Sequence, residues 1–114
     1  MNRTFEQPVA RSRKELSLAL RSDDPKIVSE ALISAALHDP DRLFVESFIV
    51  QFLKHPDPWV RGVSATAAGH LARMHRVTTA DIIPLLQTLL RDPRTSGKAQ
   101  DALDDIAMFT GQSA

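Results

Sequence analysis

Asp57-Pro58-Trp59-Val60-Arg61-Gly62-Val63-Ser64-Ala65-Thr66-Ala67-Ala68-Gly69-His70-Leu71 is the stretch that decides how this chain folds. It opens on an aspartate that can cap exposed helix amides. A proline follows at the first helical position, where no amide partner is needed. Val60, Val63, Ala67 and Leu71 then recur at helical spacing. The small residues Ser64, Ala67 and Ala68 on the same segment let a neighbouring helix approach closely.

Working outward, the same start recurs. Shifted by 33 residues, Leu20-Arg21-Ser22-Asp23-Asp24-Pro25-Lys26-Ile27 falls on Leu53-Lys54-His55-Pro56-Asp57-Pro58-Trp59-Val60, Ala31 on Ser64 and Ala35 on Ala68. A third copy begins at Leu90-Arg91-Asp92-Pro93 and continues through Ala99, Ala102, Leu103 and Ile106. Asp24-Pro25, Asp39-Pro40 and Asp57-Pro58 read as helix starts, and Asp92 either caps directly or sits in the loop before Thr95. The pattern predicts six helices, over 11–20, 25–37, 41–54, 58–75, 80–91 and 96–109. Pro84 marks a kink or a late start in the fifth. No segment alternates like a strand, so the fold class is all-α.

The 114 residues suit one domain, 43% hydrophobic and 25% charged, an ordinary globular composition. With no cysteine there is neither a disulfide framework nor a thiolate metal site. No apolar run reaches the ~20 residues of a membrane span, and the first residues lack a signal-peptide pattern. The expected localisation is cytoplasmic. Net charge is zero but blocked: +3 over 1–21, −4 over 22–57, +4 over 58–98 and −3 over 99–114. That balance argues against a general nucleic-acid binder while leaving room for one basic face.

The stretch from Asp57 to Leu71 resembles the first helix of a HEAT repeat, with Val60, Arg61, Ser64, Ala67, Gly69 and Leu71 in the pattern's places. The match is partial over 25–37, where Val28 stands for the arginine, and weaker over 95–106, where Ser96 stands for the arginine and Asp104 for the glycine. The resemblance implies a single domain spanning 1–114, an α-α superhelix of about two and a half helical hairpins. Its repeats would lie near 24–54, 57–91 and 92–109, with 10–21 a leading half-repeat and 1–9 and 110–114 flexible. It also implies that Arg61 pairs with Asp24 or Asp57 along the stack, and that the second helix of each hairpin lines a concave face.

On those second helices the outward positions are Lys14, Ser17 and Arg21; Ser47, Val50 and Lys54; Pro84, Gln87 and Arg91. Arg21, Lys54 and Arg91 form one basic row, which either attracts an acidic partner or complements the helix dipoles. In the segment 41–54 eight of fourteen residues are apolar, more than one buried stripe needs. Leu43 and Val50 fall opposite Val45, Ile49 and Phe52, an apolar spot suited to a protein partner. Trp59 is a further candidate anchor. The expected partner-binding set is therefore Lys14, Arg21, Leu43, Val50, Lys54, Gln87 and Arg91.

Chemistry is sparse. His38, His55, His70 and His75 have poor ligand spacing, and the His-Glu dipeptides of the HEAT-like di-iron hydroxylases are missing. There is no phosphate loop or nucleophile elbow, and adjacent Asp104 and Asp105 face different ways on a helix. The expectation is no enzyme, no metal and no cofactor. The leading reading is a protein-binding module, of the immunity or adaptor kind found among small HEAT-like bacterial proteins. The alternative is nucleic-acid binding through the basic ridge, as in the longer HEAT-like DNA glycosylases. Helix 96–109, without a second partner, either caps the stack or offers an apolar end to another copy; Asp101, Asp104 and Asp105 favour the cap.

Overall fold

The helix starts follow from short acidic and hydroxyl caps. In the computed structural model, which describes residues 12–112, Ser12 opens α1 (Arg13–Ala19) with a capping box: Glu15 N–H donates to the Ser12 hydroxyl at 3.1 Å and Ser12 N–H to the Glu15 carboxylate at 2.9 Å. Asp24 caps α2 (Pro25–His38) by accepting from Lys26 N–H at 2.9 Å. Asp57 caps α4 (Pro58–His75) by accepting from Trp59 N–H at 2.7 Å. Both prolines sit at the first helical position, as their sequence predicts.

Asp39-Pro40 behaves differently from the expectation. Asp39 N–H still donates to Ala35 O at 3.0 Å, so this residue closes α2 and cannot open the next helix. The cap of α3 (Arg42–Phe52) is Asp41, which accepts from Phe44 N–H at 3.2 Å. Asp39 instead accepts from Asp41 N–H at 2.9 Å and stiffens the turn. Arg13 of α1 spans both carboxylates, at 3.3 and 3.1 Å.

In α5 (Ile82–Leu89), Pro84 is the third helical residue, where its missing N–H costs no intrahelical bond. The helix begins at Ile82, two residues after the expected 80, which is the late start that Pro84 marks. Asp92 lies in the loop before α6 (Ser96–Thr110), where it accepts from Arg94 N–H at 2.9 Å. The Thr95 hydroxyl donates back to Leu89 O at 2.8 Å, fastening α6 to the end of α5. Helix α6 ends at Gly111, whose φ of 75° suits a residue without a side chain.

Helices α2 and α6 each pack directly on α4, and the three form one layer. Helix α3 lies across α2 and α4, α5 across α6 and α4, and α1 against α2. The first layer is close because its contact residues are small: Ala31 and Ala35, then Ser64, Ala67, Ala68 and Gly69, then Ala99 and Ala102, all buried. At Gly69 an added Cβ would stand 3.2 Å from Ala102 Cα, so α4 and α6 are almost in backbone contact there. Larger side chains fill the space between layers: Val45, Ile49 and Phe52 from α3, Ile82, Leu86 and Leu89 from α5. Helix α1 also touches α3, with the Arg13 guanidinium 4.0 Å from the Phe44 ring centroid. The described residues form six helices and no strand, within 43 × 28 × 26 Å, which is the all-α class expected.

At the junction between α3 and the loop before α5 one carboxyl group is buried. Glu46 is 3% exposed, accepts from Arg42 Nη1 at 2.7 Å and from Thr79 N–H at 3.2 Å, and also takes the Thr79 hydroxyl. At the C-terminus, residues 110–112 are held rather than loose. Thr78 N–H donates to Gln112 Oε1, and Gln112 Nε2 donates to Thr78 O, both at 2.9 Å. The expected flexible segment 1–9, the first two residues of the half-repeat at 10–21, and residues 113–114 lie outside the described residues.

Candidate protein-binding surface

The expected basic row occupies equivalent positions. Arg21, Lys54 and Arg91 each follow the last helical residue by two, and their N–H groups close the final turns of α1, α3 and α5 onto Leu18 O, Gln51 O and Thr88 O at 3.2, 3.3 and 3.3 Å. All three are exposed, as is Lys14, and among the described residues none of the three enters a side-chain ion pair. Leu43 is 61% exposed on α3. Gln87 and Val50 are half-buried, and Val50 packs against the core. The expected apolar spot of Leu43 and Val50 therefore reduces to Leu43, because the helix leans its other flank onto the layer beneath.

The expected ion pair takes another partner. Asp24 and Asp57 spend their carboxylates on the caps of their own helices. Arg61 reaches forward instead, with Nη2 2.9 Å from Asp92 Oδ2, and its Nη1 donates to His55 O and Pro56 O at 2.9 and 3.1 Å. Asp92 also receives Arg94 Nη2 at 3.0 Å. Arg94, through its guanidinium and then its N–H, and lastly Arg61, hold the Asp92 carboxyl down at about 2.

The opposite layer carries a second surface, centred on Trp59. This second residue of α4 is 59% exposed even though its N–H is capped. On one side, between α4 and α2, lies a groove of about 280 Å³ lined by Trp59, Val63, Ile33, Ser29, Lys26 and Glu30. On the other, toward α6, lies a second of about 280 Å³ lined by Pro58, Gly62, Arg94 and Lys98. Lys98 Nζ stands 5.7 Å from the Trp59 ring centroid, a cation–π distance. The approach is possible because residue 62 is glycine: a Cβ there would be 2.9 Å from Lys98 Cδ. The Ser29 hydroxyl is buried and lacks a hydrogen-bond partner. Ile27, 43% exposed at the start of α2, adds to the apolar surface of this layer.

Of these residues the sequence singles out Trp59 alone for binding. Lys26, Ser29, Glu30 and Ile33 follow the spacing i, i+3, i+4, i+7 of a single helix face, and Trp59 and Val63 are one turn apart. That signal was present, but a mixed face of two charges, a serine and an isoleucine reads as ordinary solvated surface until the neighbouring helix supplies the other wall.

Farther along α4 and α6 a polar groove of about 360 Å³ is lined by Thr66, Gly69, Arg73, Lys98, Asp101, Ala102, Asp104 and Asp105. Arg73 Nε faces Asp105 at 3.7 Å. At the end of the stack a groove of about 250 Å³ runs between α5 and α6, lined by Ile83, Leu90, Leu103, Ile106 and neighbours. The acidic residues of α6 thus face the α4 side, and the stack end is apolar where a polar cap was expected. Among the described residues there is no group of three or more His, Asp or Glu placed to hold a metal ion. No helix among them is long and apolar enough to cross a membrane.

No family model matches the chain, and no curated protein matches it. A solved structure does. A chain in the crystal structure of a CDI complex from Cupriavidus taiwanensis superposes with a TM-score of 0.81 over 95% of this chain and 98% of that one, at 25% identity. The likeness runs nearly end to end in both, so the two chains share the whole six-helix arrangement and not one hairpin of it.

Proposed function

We propose that this chain is an immunity-type protein-binding module that docks on a toxin protein and blocks it. The observation that carries the reading is the end-to-end likeness to a chain of a CDI complex. The surface agrees with it in kind: an exposed tryptophan between two grooves, an exposed leucine on the other layer, and basic residues at three equivalent helix ends. Large rigid aromatics and cations are what protein interfaces use as anchors and for steering. The chain would work as a HEAT-like stack, without catalytic chemistry of its own, by covering a site on its partner.

The test is to immobilise the purified chain, pass over it an untreated extract of the native cell, and identify what is retained. The expected result is one protein, in equimolar complex, that arrests growth when expressed alone and does not when co-expressed with this chain. Retention of nucleic acid alone, or of a protein whose toxicity the chain leaves untouched, overturns the reading.

A further inference from the structure

The groove between α2 and α4 combines three features that ordinary surface does not. Its walls are apolar, with Ile33, Val63 and the face of Trp59. Its volume of about 280 Å³ exceeds the ~150 Å³ that accommodates a benzene ring in an apolar cavity and falls below the ~300 Å³ lower bound of small-molecule pockets. One of its lining residues is Ser29, 94% buried on its 6% exposure, with a hydroxyl that has no partner. An orphaned buried hydroxyl costs stability unless something satisfies it. On α2 the usual remedy, donation to the carbonyl one turn back, is not taken, whereas Ser64 does take it, onto Val60 O at 2.8 Å.

The rim adds charge. Lys26 stands at one edge, and Lys98 lies over the far face of Trp59 with Arg94 beside it. Glu30 is the single acid among the residues lining these two grooves. Arg94 shares Asp92 with Arg61, so Lys26 and Lys98 are the rim cations that carry the charge.

We propose that the α2–α4 groove is the anchor site for the partner protein, receiving one aromatic side chain with a polar tip from an acidic stretch of that partner. The ring lies against Trp59, Ile33 and Val63; its O–H or N–H meets the Ser29 hydroxyl; carboxylates flanking it meet Lys26 and Lys98. Tyrosine and tryptophan are the side chains that join an apolar ring to such a tip. The inference rests on the proposed function, since it presupposes a protein partner, but it specifies where and by what chemistry that partner is held.

Three chains test it against the protein retained in the experiment above: wild type, Trp59→Ala and Ser29→Ala. Trp59 is the chain's one tryptophan, so a fluorotryptophan label gives a single resonance in fluorine NMR. Both substitutions leave the helices intact, one being at an exposed position and the other placing alanine inside a helix. The expected result is a shifted resonance on complex formation, a dissociation constant raised about 30-fold by Trp59→Ala, and one raised about fivefold by Ser29→Ala. An unmoved resonance together with wild-type affinity in Trp59→Ala overturns the anchor site and leaves the proposed function standing. A wild-type chain that retains no protein overturns both.

Discussion

Arg61 Nη2 lies 2.9 Å from Asp92 Oδ2 while Nη1 of the same guanidinium donates to the carbonyls of His55 and Pro56. One side chain on the first turn of α4 thus fastens the loop before it and the loop before α6. Arg61 is largely covered, with 16% of its side chain exposed. Arg61→Met keeps the aliphatic stem and removes these bonds, and it is expected to lower unfolding free energy by about 2 kcal/mol. Urea denaturation measures this; a midpoint within error of wild type would show the guanidinium to be dispensable.

The same cluster sets an acid dependence. Asp92 titrates near 2 in the folded chain against an ordinary 3.8, first because of Arg94 and only lastly because of Arg61. The unfolded chain therefore takes up this proton first as pH falls. The stabilisation is complete above 3.8 and is lost as pH drops through about 2. Asp92→Asn should flatten the stability profile in that interval and leave its shape at neutral pH unchanged. Thermal melts at a series of acid pH values decide it, and Arg94→Gln should reproduce more of the effect than Arg61→Gln.

Two glycines of α4 predict opposite outcomes. Alanine at 69 would press its Cβ to 3.2 Å from Ala102 Cα and 3.0 Å from an Asp105 carboxylate oxygen, and backbone cannot step aside cheaply. Gly69→Ala should cost about 1–3 kcal/mol through this overpacking of α4 on α6, despite better helix propensity. Alanine at 62 meets the flexible stem of Lys98 at 2.9 Å. Lys98 can swing off, so the ~1 kcal/mol propensity gain should dominate and Gly62→Ala should be neutral or stabilising. Melting temperatures of the pair, moving in opposite directions, are the check.

Glu46 is 3% exposed and holds Arg42 and Thr79 together. Glu46→Ala leaves the Arg42 guanidinium with the Thr79 hydroxyl at 3.3 Å in place of a carboxylate, and the Thr79 N–H without its acceptor. A loss of about 3 kcal/mol is expected. The double variant Glu46→Ala, Arg42→Met should recover part of it, since no charge is then stranded; a double-mutant cycle in urea measures the recovery.

Arg21, Lys54 and Arg91 repeat at equivalent, exposed helix ends, so their part in association can be tested together. If the partner is acidic, Arg21→Glu, Lys54→Glu, Arg91→Glu together should slow association about tenfold at low salt and change dissociation little. Stopped-flow association at two ionic strengths reads this directly. An unchanged rate would leave these cations with the role of complementing the ends of α1, α3 and α5.

Much of the fold was legible in the chain because it rests on local physics repeated. Asp24-Pro25 and Asp57-Pro58 cap and start α2 and α4, and the spacing of Val60, Val63, Ala67 and Leu71 needs no partner to declare a helix. The small residues Ser64, Ala67 and Ala68 announced close packing for the same reason: only small side chains let helix axes approach. The errors lie where two local signals compete. Asp39-Pro40 has the form of a start, yet Asp39 was already needed to end α2, and Asp41 took the cap.

The sequence by itself thus determined the helices, their order and the small-residue face of α4, since capping, periodicity and side-chain volume act within a few residues. The tertiary structure alone decided which carboxylate Arg61 meets, how far Val50 is covered, and that Trp59, Ser29 and Ile33 share one groove. Those outcomes depend on which faces two helices turn toward each other across 31 residues, from Arg61 to Asp92, or from Ser29 on one helix to Trp59 on another. A one-dimensional pattern states what each face carries, and only packing states what it faces.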